Sequence, residues 1–129
     1  MKVHVLDANA LYRFLVRGAG AEIVIRLFKE ARDAEQPLRM SVVNWGEVYY
    51  TIAKSEGFAE AARVMDRVKL LPLDVLDVDQ GITARAAQFK AGYGLPYADC
   101  FAAATASAPR SLCPAPATRT KRFGARVRS

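Results

Sequence analysis

Cysteine and histidine are scarce in this chain: Cys100, Cys113 and His4 are the only three among 129 residues. The two cysteines form neither a metal-ligand spacing nor a disulfide framework, so a reducing cytoplasm is the compartment that fits. His4 lies inside an apolar run and is expected to be a packed or edge residue of a strand rather than a catalytic group. Long apolar runs are also lacking. No window approaches the roughly 20 uninterrupted apolar residues of a membrane-spanning helix, and a secretory leader is not expected. Acid is missing from one end. All 13 acidic residues lie in residues 1–107, balanced there by 13 basic ones, whereas residues 108–129 hold 6 basic residues and no acid. The net charge of +6 is therefore the tail's, and the neutral body does not read as a basic nucleic-acid-binding face.

What is present is a single domain's worth of alternating elements. Val3 to Leu6 reads as a buried central strand that stops on Asp7. Helices are expected at Ala8–Val16, closed by Gly18 and Gly20, and at about Ala21–Ala34, with Ile23, Leu27 and Ala31 on the buried face. Leu38 to Val42 suits a second strand, and Ser41 and Asn44 both suit the N-cap of a third helix whose core stripe is Trp45, Val48, Tyr49 and Ile52. Glu47 falls beside that stripe, in what reads as the first turn. A fourth helix over about Ala59–Lys69 carries Ala62, Val64, Met65 and Val68; then comes a strand within Leu71–Val78 that buries Leu73 and Val75. Asp79 caps a fifth helix over Gln80 to about Ala91, and Pro96 opens a sixth that runs to about Ser107. This alternation predicts an α/β fold, a short parallel central sheet in a three-layer α/β/α arrangement. Arg110–Cys113 has the character of a short strand, and the remaining basic tail, without periodicity, is expected to be poorly ordered.

Three acids stand at strand ends or helix starts among core-forming residues: Asp7, Glu47 and Asp99. Each has a structural explanation, because a carboxylate in a first turn or at an N-cap offsets the helix dipole by about 0.3–1 kcal/mol. Brought to one sheet edge, however, they would repel one another unless a cation lay among them. Oxygen-only ligands select a hard ion, Mg²⁺ or Mn²⁺, which also binds phosphate oxygens. Phosphodiester hydrolysis is the chemistry that such an ion serves best. Tyr93 and Tyr97 either stack on a base beside this site or close the core, and Cys100 is expected to be a small buried hydrophobe.

The segments LDANAL at 6–11, SVVNWGEVYY at 41–50 and LPYADCFAAATA at 95–106 resemble the three acidic motifs of the PIN-domain ribonucleases, specifically VapC-like toxins of toxin–antitoxin pairs, over about residues 1–107. The resemblance implies that Asp7, Glu47 and Asp99 are catalytic metal ligands and that Asn9 is the polar residue following the first acid; Asn9 and Tyr97 are the expected substrate contacts. It further implies a divalent ion, an RNA substrate, a homodimer, and an antitoxin segment that blocks the site.

The tail departs from that pattern. Where the family carries a motif like T-G-D-x-x-F, this chain has Thr118 and Phe123 in place but Thr120 where the fourth acid belongs. The abrupt shift to Pro, Arg and Ser is also the composition of a GC-rich message read out of frame. A rival reading is a degenerate module that binds RNA or an antitoxin without turnover. A third, a phosphorylatable Mg²⁺-binding signalling domain, needs a lysine at a strand end, and neither Lys54 nor Lys69 is so placed.

Overall fold

Asp7, Ser41 and Asp79 each follow an extended segment and cap the helix that comes next. In the computed structural model, which describes residues 4–107, the Asp7 carboxylate accepts from the backbone N–H of Ala10 at 2.8 Å, Ser41 Oγ from Val43 at 3.2 Å, and Asp79 from Ile82 at 2.8 Å. Each such cap is worth about 1 kcal/mol. The elements are α1 (Ala8–Val16), α2 (Ala21–Ala34), β1 (Leu38–Ser41), α3 (Val42–Glu56), α4 (Phe58–Val68), β2 (Leu73–Leu76), α5 (Gln80–Tyr93) and α6 (Tyr97–Ser107). The fold is a mostly helical α/β arrangement around a short parallel sheet, as the alternation predicts.

β1 pairs in parallel with β2, Leu38 opposite Leu73 and Ser41 opposite Leu76. On the other side of β1 runs the segment around Val5. Leu6 donates its N–H to the Arg39 carbonyl at 2.8 Å, and Arg39 donates to His4 at 2.9 Å. The middle position among the described residues therefore belongs to β1. Among the described residues the first segment, expected to be central, shows its pairing with β1 on one side. His4 is exposed there, an edge residue. The strand suggested for Arg110–Cys113, the basic tail and Thr120 lie outside the described residues.

The main core gathers Leu11, Met40, Val48, Ile52, Met65 and Leu73, and a smaller one, between α5 and α6, holds Ile82, Ala86, Cys100, Phe101 and Ala104. Three expected faces shift by a residue or so. α2 buries Val24, Phe28 and Ala31 and leaves Ile23 exposed; α4 buries Ala61, not Ala62; and β2 buries Leu73 and Leu76 while Val75 is half-buried. In Ile23-Val24-Ile25 and Ala61-Ala62, hydrophobicity is equal on neighbouring positions, so packing decides. The edge-to-face pair of Phe14 and Phe28, 5.0 Å between centroids, fixes the α2 rotation.

Gly57 joins α3 to α4 with no loop, at φ 95° and ψ 162°, a region that is essentially glycine-only. An added Cβ would meet nothing within 4 Å, so the penalty for Gly57→Ala is purely backbone strain. The substitution is expected to lower unfolding free energy by about 1–3 kcal/mol, read by denaturant titration, with no change in the m-value.

Candidate functional site

The parallel register that sets Val5 opposite Arg39, carried two residues on, brings Asp7 level with Ser41 at the carboxyl edge of the strands. There α1 and α3 begin side by side, and α6 packs against both α3 and β1. Open α/β sheets bind ligands at that edge.

Asp7 is exposed, with one oxygen engaged by its own helix at Ala10. Asn9, the second residue of α1, is exposed and accepts from Arg13 Nε at 3.3 Å. Glu47 is half-buried and, because α3 starts at Val42, stands in the second turn rather than the first. Dipole compensation therefore does not explain it. Its Oε1 is shielded from solvent and has no hydrogen-bond partner among the described residues. A buried carboxylate oxygen left so costs free energy that only a ligand or a donor offsets.

Asp99 occupies the first turn of α6 and is exposed. Tyr97 opens the same helix, about half exposed, with its ring edge-on to Phe101 at 4.9 Å. Tyr93 ends α5 at 73 % exposure, with its ring 6.0 Å from Phe89. Neither tyrosine closes the core. Lys90 Nζ donates to the Leu95 carbonyl at 2.9 Å and so fixes the turn between them. Cys100 is fully buried, as expected.

Sequence reasoning missed the part played by Asn44. Expected as a cap, it lies inside α3, fully buried, and its Nδ2 donates across the molecule to the Ala98 carbonyl at 3.0 Å. Ser41 is the cap instead. The available signal was the spacing, since Asn44 and Glu47, three residues apart on a helix, share a face.

The donor set fits a hard divalent cation in kind: three carboxylates, an orphaned buried oxygen among them, and no cysteine or histidine between. The structure does not draw the three together. Among the described residues no group of three or more His, Cys, Asp or Glu side chains stands close enough to hold one ion. Nor do the acids line the two clefts beside α1 and α4, whose walls include Phe14, Leu15, Val64 and Arg67.

The family model of the PIN domain matches residues 4–110. This chain belongs to the PIN-domain family. A solved toxin–antitoxin complex from Klebsiella pneumoniae contains a chain of similar fold, with a TM-score of 0.52 and 23 % identity over 80 % of this PIN domain's chain and 77 % of that one. No curated protein matches the sequence. Among the described residues no helix is long and apolar enough to cross a membrane.

Proposed function

We propose that this PIN domain is a metal-dependent endoribonuclease, the toxin of a toxin–antitoxin pair, acting in the cytoplasm as a homodimer. Asp7, Glu47 and Asp99 would hold Mg²⁺ or Mn²⁺. The observation that carries this reading is Glu47 Oε1, a buried acceptor without a donor among the described residues, in a helix that starts beside the Asp7 cap and packs on the helix bearing Asp99. PIN domains are generally nucleases, and the similar fold found in a toxin–antitoxin complex supports an antitoxin protein as partner. When bound, the ion would activate water and neutralise charge on the phosphate. The chain's own groups have separate tasks. Asn9, whose oxygen is taken by Arg13, offers its amide N–H groups to a phosphate, and Tyr97 offers an exposed ring face for a base.

A second reading, a PIN module that binds RNA or antitoxin without turnover, is favoured by one observation: the three carboxylates do not form one ligand group. Cleavage of a mixed RNA panel separates the two. The nuclease reading expects cutting with Mg²⁺ or Mn²⁺ that a chelator abolishes and that metal restores. Folded protein that binds RNA but cuts none under any metal would establish the second reading.

A further inference from the structure

Resting on the reading of Asp7, Glu47 and Asp99 as the site, we infer that Asn44 is its positioning residue, coupling Glu47 on α3 to Asp99 on α6. Ala98 O is a carbonyl and can only accept, so the Asn44 amide nitrogen must face it. The oxygen is thereby turned away from Ala98. It is buried and has no partner among the described residues, as is Glu47 Oε1, three residues along the same helix. One side chain thus does two things. Its nitrogen pins the residue immediately before Asp99, at the first turn of α6, and its oxygen adds a second buried acceptor beside Glu47. A fully buried asparagine kept only for packing would have both ends satisfied, because each unsatisfied buried acceptor is destabilising. Two such acceptors on one face are a place for a donor, such as a water or a hydrated cation, to be held between α3 and α6. Asn44 touches no reacting atom; it acts through the carboxylates.

The test uses the full chain, Asn44→Ala, and the shape-keeping Asn44→Leu, with Mn²⁺ as the probe. Three quantities are read: Mn²⁺ affinity by calorimetry, kcat and KM for RNA cleavage, and amide hydrogen exchange over residues 97–101. Both variants are expected to weaken Mn²⁺ binding by about tenfold or more, the usual effect of losing a residue that orients a ligand. kcat is expected to fall more than KM rises, and exchange to quicken at residues 97–101 but not at 48–52. Folded variants that bind Mn²⁺ within twofold of the parent, with unchanged exchange in α6, would overturn the inference while leaving the nuclease reading standing. Parent protein that is folded yet neither binds Mn²⁺ nor cuts RNA would defeat that reading, and the inference with it, before any variant is made.

Discussion

Asp7→Asn is expected to cut metal-dependent RNA cleavage by at least about 100-fold while leaving the thermal midpoint within a few degrees of the parent, a loss at the upper end of that for a residue supporting a metal site. The two halves of this result have different origins. Asparagine caps a helix as well as aspartate does, so the bond from Ala10 to the side-chain oxygen survives, and only the charge–dipole contribution of about 0.3–1 kcal/mol is lost. The negative charge that would hold a divalent ion is removed outright. Asp7→Ala makes the complementary control, since it should be equally inactive and in addition about 1 kcal/mol less stable through loss of the cap. The measurement is cleavage with Mn²⁺ set beside a melting curve on the same preparation. An unchanged rate in clean Asp7→Asn protein would remove Asp7 from the site.

The largest stability effect is expected at Leu11. It is 0 % exposed, on the inner face of α1, within the main core that also holds Met40 and Val48. Leu11→Ala deletes buried methyl groups and leaves a cavity whose walls, contributed by helices and the sheet, collapse only in part. The expected cost is about 3 kcal/mol, which for a domain of this size lowers the melting temperature by roughly 10 °C or more. Ala62→Ser, on the exposed face of α4, is the matched control and should change stability by no more than about 0.5 kcal/mol. Differential calorimetry of the three proteins decides the matter. Equal midpoints would mean that α1 does not pack as described.

Where the chain carries a discrete chemical signal, the fold was legible from residues alone. Asp7 marks the start of α1 and Asp79 that of α5, because caps act within one turn; α1 ends at Val16 as expected, although the left-handed residue that closes it is Arg17, ahead of Gly18. Rotation of α2 was not legible. Ile23, Val24 and Ile25 are equally apolar, and the choice between them is made by Phe14, nine residues or more away in the chain. The site divides along the same line. Of the candidate acids, the places of Asp7 at a strand end and Asp99 in a first helical turn were legible from their local contexts. The start of α3 at Val42 was ambiguous between two capping residues, and that ambiguity moved Glu47 by a turn and hid the contact of Asn44 with Ala98, a pairing that spans 54 residues and has no local signal. That the three carboxylates form no single ligand group was beyond reach for another reason: it depends on how tertiary packing places α1, α3 and α6.

The division of the interior into two clusters has a dynamic meaning. Ile82, Ala86, Cys100, Phe101 and Ala104 give the α5–α6 hairpin a small cluster of its own, flanked by Val43 of α3 and distinct from the one around Leu11. Such units open at free energies below that of global unfolding. The hairpin carries Asp99, whereas Asp7 and Glu47 belong to the larger body. On the proposed reading of Asp99 as a site residue, the protein is then disarmed before it is denatured: a partial opening that swings the hairpin out carries Asp99 away from α3 while the larger core stays shut. Activity should then be lost on heating ahead of the main melting transition.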